Sequence, residues 1–291
     1  MIYISSSCIK TNKIEKAVRT LCDEGFKNIE LSGGTEFDND ALSTLVSLKK
    51  EYDANFLLHN YFPTPQQSFV INLASLDPNI SELSTAVIKK AIEWSVELGA
   101  NKYAFHAGFL INIPLNEVGK VISKATLFNE KEAYAEFEKN LAEISDFNND
   151  RVQLYIENNV LSTLNYNSFN SNDPFFFTSS QNLEKITLPN EMKILLDVAH
   201  LKVSCNSLSL NFDEELTALY KKTDYVHFSD NDGRSDSNNV LKEDSYLHKS
   251  LKEIWSPSKV LTIEVYSGMD DIKQTYNTLE QLNKENESIE V

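Results

Sequence analysis

Eight short runs rich in β-branched and aromatic residues recur along this 291-residue chain, at residues 2–5, 28–31, 55–59, 102–106, 152–157, 193–197, 225–228 and 260–264. Segments of helical period separate them. Leu83, Val87, Ile88, Ala91 and Ile92 share a face in one segment, Ala133, Phe137, Leu141 and Ile144 in another, and Ile272, Tyr276 and Leu279 in a third. Strands that alternate with helices pair in parallel and lie covered on both faces, and eight such units are the number that closes a barrel. The sequence therefore predicts an α/β fold, a (β/α)8 TIM barrel, with residues 1–291 forming a single domain. The competing architecture, an open doubly wound sheet, calls for a glycine-rich phosphate loop after the first strand. Ser5-Ser6-Ser7-Cys8 contains no such loop, and the chain has only 8 glycines.

Element boundaries follow from local chemistry. Ser81 is expected to start the third helix, and Gly99 to end it in the left-handed conformation that glycine tolerates. A short fifth helix is expected over residues 180–186. Two connections are long, from Ala107 to about residue 130 and from Asn158 to about residue 179; the second carries Phe175-Phe176-Phe177. Three exposed phenyl rings would be costly, so a lid or a subunit contact is expected there, the second of which would make a homo-oligomer; the sequence does not fix the oligomeric state.

Composition narrows the partners. Lys and Arg number 27 against 43 Asp and Glu, a formal charge of −16, so nucleic acid is an unfavoured partner for want of a basic patch. Cys8, Cys22 and Cys205 are widely spaced, with no CxxC pair, which suits a reducing cytoplasm. No run approaches the roughly 18 apolar residues of a membrane span, and the N-terminus lacks a basic region before an apolar stretch. A cytoplasmic protein away from membranes is expected.

The chemistry concentrates at the C-terminal ends of the strands. His59 ends the third, His106 the fourth, Glu157 the fifth, Asp197 the sixth and Glu264 the eighth; His227 lies in the seventh, and His200 follows Asp197 by three residues. In a barrel these converge on one mouth. A single polar strand end is more often a satisfied structural residue, but a set in register on six strands is not explained that way. Lys and Arg are absent from these positions, so a divalent cation is the simplest counter-charge, and mixed His and carboxylate ligands suit Mn, Zn, Co or Fe. Glu30, at the end of the second strand, is as readily a hydrogen-bond partner of the rim as a site residue. Arg234, Lys202 and His248 read as surface residues, though Arg234 could meet a substrate phosphate or carboxylate.

In order along the chain stand Ile29-Glu30-Leu31-Ser32, Leu58-His59-Asn60, Ile71-Asn72-Leu73-Ala74-Ser75, Phe105-His106-Ala107-Gly108, Ile156-Glu157-Asn158-Asn159, Leu196-Asp197-Val198-Ala199-His200, His227-Phe228-Ser229-Asp230-Asn231-Asp232-Gly233 and Ile263-Glu264. Over nearly the whole chain this series resembles the xylose-isomerase-like barrels, which include sugar isomerases and epimerases and the endonuclease IV group of abasic-site nucleases. The resemblance implies that Glu157, Asp197, His227 and Glu264 bind a metal, with Glu157 and Glu264 as the catalytic acid/base pair. It also implies that His59, His106 and His200 serve a second metal or the substrate. In the nucleases a third metal uses the match to His200 plus an Asp-x-His; here that stretch reads Asp236-Ser237-Asn238, and asparagine replaces an imidazole poorly. The leading expectation is thus a metal-dependent isomerase or epimerase of a sugar or related polyhydroxy carbonyl compound, acting through an enediolate. The alternative is an endonuclease-IV-like phosphodiesterase, supported by the presence of both His59 and His106.

Overall fold

The computed structural model describes residues 1–123 and 125–287. Its eight strands are β1 (Ile2–Ser5), β2 (Asn28–Leu31), β3 (Asn55–His59), β4 (Lys102–His106), β5 (Gln153–Glu157), β6 (Lys193–Asp197), β7 (Tyr225–Phe228) and β8 (Val260–Ile263). All neighbours pair in parallel, and β1 also pairs β8, so the sheet closes on itself in the order β1 to β8. The expected TIM barrel is therefore the observed fold, and the open sheet is ruled out. Strand bounds agree with the sequence reading to within one residue, the differences being that Val152 and Glu264 lie just outside β5 and β8.

Among the described residues ten α-helices pack outside or cap the connections: α1 (Ile14–Asp23), α2 (Ala41–Tyr52), α3 (Pro78–Leu98), α4 (Glu130–Asn148), α5 (Thr163–Ser168), α6 (Ser180–Leu183), α7 (Val198–Leu208), α8 (Phe212–Tyr220), α9 (Tyr246–Lys252) and α10 (Met269–Glu287). Gly99 ends α3 with φ of 65° as expected. Ser81 does not start it: the helix begins at Pro78, and Asp77 accepts from the Asn79 amide as the cap. Proline at the first position needs no amide partner, which moves the boundary three residues upstream. Ser81 instead donates to Glu136 on α4 at 3.1 Å.

Side chains alternate along each strand, and this sorts the residues into two environments. Ile29, Leu58, Phe105, Ile156, Leu196, Phe228 and Ile263 face outward into the large core shared with the helices. Tyr3, Leu57, Ala104, Tyr155, Leu195 and Tyr225 face inward and pack together as a floor across the barrel. Two residues further along the same strands come His59, His106, Glu157, Asp197 and His227. The period of two thus stacks a layer of ionisable groups directly on an apolar and aromatic floor.

The two long connections are packed rather than free. Phe175, Phe176 and Phe177 are all buried. Phe176 stacks on Tyr134 with centroids 4.0 Å apart and meets Phe137 edge-on at 5.3 Å, both from α4. The lid or subunit contact expected of this triplet is therefore corrected: the rings complete the chain's own core, because α4 presents Tyr134 and Phe137 to Phe176. Gly108 lies in the other connection. A Cβ there would stand 2.6 Å from Ala74 Cβ and 3.3 Å from the Phe176 ring, so only glycine lets these segments meet. Asn72 clamps the same connection, donating to the carbonyls of Phe109 at 3.1 Å and Ile111 at 3.0 Å.

His248, read as surface, is buried: it shares a face of α9 with Leu247 and Leu251, and its ring accepts from the Asp244 amide at 3.3 Å. The three cysteines are free and buried. Among the described residues no helix is long and apolar enough to cross a membrane.

Candidate active site

Glu157 is the hub of the mouth. It is fully buried, and four of the five histidines approach it: His59 Nε2 at 2.7 Å, His106 Nδ1 at 3.3 Å, His200 Nδ1 at 3.5 Å and His227 Nδ1 at 3.6 Å. Burial alone would raise its proton affinity, but the surrounding imidazoles, with His59 hydrogen-bonded to it, hold the carboxyl well below the ordinary carboxylate range. Glu157 is thus ionised at neutral pH. His106 stands at the edge of the cluster, and burial pulls it down to about 4 against the pull of Glu157, so it is a neutral imidazole.

Asp197 serves two purposes with its two oxygens. It ends β6 and is also the N-cap of α7, its Oδ1 accepting from the His200 amide at 2.7 Å. Such a cap contributes about 1 kcal/mol to the helix and fixes the direction of the carboxyl. Oδ2 is left over, aimed into the barrel with no hydrogen-bond partner. Burial raises the Asp197 carboxyl to about 7, so it holds a proton far more readily than an exposed aspartate. Asn158 locks the adjacent strand ends together, donating to the Asp197 carbonyl at 2.9 Å and accepting from its amide at 2.7 Å.

His227 is oriented from behind. Its Nε2 lies 3.0 Å from Glu30 Oε2. Glu30 is fully buried and also accepts from Tyr225, from Thr262 at 3.0 Å and from Ser32 at 3.3 Å. With Nε2–H donated to Glu30, the other ring nitrogen, Nδ1, points at the mouth, 3.6 Å from both Glu157 Oε1 and Glu264 Oε2. Burial opposes a charge on this ring, but Glu30 and Glu264 outweigh it and raise His227 well above the ordinary histidine range.

Glu157 Oε1, Asp197 Oδ2 and His227 Nδ1 are buried with no hydrogen-bond partner, as is His106 Nδ1 at the edge of the cluster. Leaving such atoms unmatched costs roughly 1–3 kcal/mol each, so their convergence needs a cause. Glu157, Asp197 and His227 offer ligand atoms within 4.8 Å of one another. Two oxygens and an imidazole nitrogen at that spacing fit a divalent transition metal. Glu264, expected as the fourth member, sits against His227 and groups instead with His227, His59 and Glu30. His59, His106 and Glu157 form a further cluster of ligand spacing, although His59 Nε2 is already hydrogen-bonded to Glu157.

His200 is held by the Asn158 carbonyl at Nδ1, 3.0 Å away, and its Nε2 lies 3.3 Å from Asp236 Oδ2. Asn238 donates to that same Asp236 oxygen at 3.2 Å, occupying the place of the imidazole expected in the nucleases. Among the described residues, neither His200 nor Asp236 belongs to a cluster of metal-ligand spacing. Lys202 is tied to Asp230 Oδ1 at 2.6 Å and is a brace of the β7 loop.

Above these groups opens a cavity of about 640 Å³, bordered by His59, His106, His200 and Glu264 and by the hydroxyls of Ser6, Ser7, Ser32 and Thr35. The structure brings His59, His106, Glu157, Asp197, His200, His227 and Glu264 to one mouth, as the strand ends predict, and adds Asn158, Asp236 and Glu30, for which the sequence predicts no site role. The i+2 spacing of Glu30 from Asn28 on a closed barrel was the signal that it faces inward.

No curated protein matches the chain by sequence. Among solved structures, a D-tagatose 3-epimerase-like protein superposes with a TM-score of 0.71 at 20% identity, covering 98% of each chain. An L-ribulose 3-epimerase superposes with a TM-score of 0.68 at 13% identity over 100% of this chain and 98% of its own. An AP endonuclease of family 2 from Brucella melitensis gives 0.64 at 11% identity, over 94% and 96%. At these identities the likeness is one of fold. Residues 18–256 match the family described as xylose isomerase-like TIM barrel, and over that span the chain belongs to it.

Proposed function

We propose that this chain is a divalent-metal-dependent isomerase or epimerase of a sugar or a related polyhydroxy carbonyl compound. The observation that carries the reading is the meeting of three partnerless buried atoms, Glu157 Oε1, Asp197 Oδ2 and His227 Nδ1, beneath a cavity walled by hydroxyls and imidazoles. Glu157, Asp197 and His227 would hold the cation, and Glu264, beside His227, would complete the set. When bound, the cation supplies Lewis-acid polarisation of a substrate carbonyl and its neighbouring hydroxyl.

The proton chemistry belongs to the chain. Glu157, kept ionised by its ring of imidazoles, is suited to accept a proton from the carbon beside the carbonyl. Glu264, approaching the same His227 nitrogen through Oε2, is placed to return one. The neutral ring of His106 and Nε2 of His200 border the cavity and orient substrate hydroxyls. The floor of Tyr155, Leu195 and Tyr225 closes the barrel beneath the site and keeps water from reaching it from below.

The test is solvent deuterium exchange. Manganese-loaded protein incubated with a panel of ketoses and aldoses in D2O should incorporate label at the carbon next to the carbonyl, and Glu264→Gln should slow this by about 10² or more. No exchange with any sugar would refute the reading. The cluster of His59, His106 and Glu157 favours phosphodiester hydrolysis as a second reading. Cleavage of abasic DNA with two or three metals bound per chain would replace the first by the second.

A further inference from the structure

The mouth has a second compartment of different character. Beside the hydroxyl-lined cavity lies another of about 450 Å³, within the range of small-molecule pockets. The two share a border: Tyr61, His106, His200 and Asp236 line both. The walls of the second are otherwise largely apolar. Phe109 and Phe175, in edge-to-face contact at 5.3 Å, form its base, and Ile122 lies buried beside them. Its rim exposes Val118 at 48%, Val121 at 51% and Leu164 at 65%. These three come from the two long connections, after β4 and after β5, whose folding buried the phenylalanine triplet but left this rim uncovered. Exposed aliphatic side chains gathered around one opening, next to a polar reaction centre, mark a binding surface rather than random decoration.

The occupant follows from the shared border. A ligand whose polyhydroxy part lies against His106 and His200 presents its far end to this compartment. Two cations, Lys120 and Arg234, stand at the compartment, yet neither makes it an anion site. The Lys120 ammonium donates to the Asn116 carbonyl at 3.0 Å, and Asp232 accepts from the Arg234 backbone amide at 2.9 Å, its carboxyl held below the ordinary range by that amide and, more weakly, by the Arg234 charge. We infer that the compartment takes an apolar substituent, so that the substrate is a sugar carrying an aliphatic or aromatic group rather than a free monosaccharide. This inference rests on the sugar reading proposed above and adds the substrate class.

Calorimetric titration of the manganese-loaded protein with phenyl β-D-glucopyranoside and methyl β-D-glucopyranoside tests it. The phenyl compound should bind at least about tenfold more tightly, and Leu164→Asp and Val121→Asp should each shrink that advantage to within about twofold. Both positions are exposed, so the variants retain the fold. Equal affinity for the two glycosides overturns the inference, as does an advantage that survives both variants. A phosphate ester of the sugar binding more tightly than the phenyl compound also overturns it, by assigning the compartment to an anion. Amide protection of residues 118–122 that is lost on dilution would assign the rim to a second copy of the chain, and overturn it as well. Failure here with deuterium exchange intact on free ketoses removes the substituent alone; failure of both removes the sugar reading.

Discussion

Replacing Glu30 by glutamine isolates the contribution of a carboxylate that never reaches the mouth. Glu30 Oε2 takes hydrogen bonds from Tyr225, from Thr262 and from His227, while Oε1 takes one from Ser32 and lies 3.8 Å from His59 Nδ1. Glutamine can keep its carbonyl toward the three donors and turn its amide to Ser32, whose hydroxyl can rotate to accept. The hydrogen bonds survive and the fold with them; the negative charge behind His227 does not. Partners that orient a metal-ligating histidine are worth about 10- to 100-fold in metal affinity, or about 1.4–2.8 kcal/mol at 1.4 kcal/mol per tenfold. Competition against a chromophoric chelator should therefore show Glu30→Gln binding Mn²⁺ or Zn²⁺ weaker by that factor. Thr262→Val, which removes a donor to Glu30 but leaves its contact with His227, should weaken binding by less than about threefold. A Glu30→Gln protein that stays folded and binds metal within twofold of wild type would refute the claim that Glu30 aims His227 at a cation.

Metal and pH should oppose each other in thermal stability. Asp197, raised to about 7 from 3.8, and His200 and His227, raised well above 6.5, bind protons more tightly in the fold than in the unfolded chain. Their contribution is complete below the unfolded values and is lost as pH rises through the folded ones, so the metal-free Tm should fall from about pH 6.5 upward. Glu30 and Glu157, shifted down, contribute in full above their unfolded value of 4.5 and do not counter this trend. Manganese takes the place of the released protons and at about 100 times its Kd adds about 2.7 kcal/mol, flattening the decline. Melts from pH 6 to 9 with MnCl2 or with EDTA check both arms; a metal-free Tm that climbs over this range contradicts the assignment. Phe176→Ala should cost about 3–5 kcal/mol in urea denaturation, because the ring is fully buried between Tyr134 and Phe137. A loss under about 1 kcal/mol would mean that the 158–179 connection is not locked to α4.

Much of the site was legible because strand periodicity is local. Once residues 153–157 form a strand with Tyr155 inward, Glu157 is inward too, and the same step of two carries Leu57 to His59, Leu195 to Asp197 and Tyr225 to His227. Eight strands, alternating with helices, then leave closure as the way to cover every edge, and closure brings those residues to one mouth.

What lay beyond the sequence depends on contacts between distant segments. Glu30 and His227 are 197 positions apart, and nothing in either segment announces that β2 and β7 aim these two side chains at each other across the barrel. The phenylalanine triplet looked like an exposed lid because its cover, Tyr134 and Phe137, belongs to another element. His248 looked like a surface residue because a two-turn helix has no unambiguous outer face. Alternation and composition by themselves determined the barrel and the residues at its mouth, since those follow from backbone geometry repeated every second residue. The partner of each ligand, the burial of the loops and the apolar compartment were decided only in the tertiary structure, where side-chain packing between remote segments settles which polar atoms are satisfied and which remain free to bind.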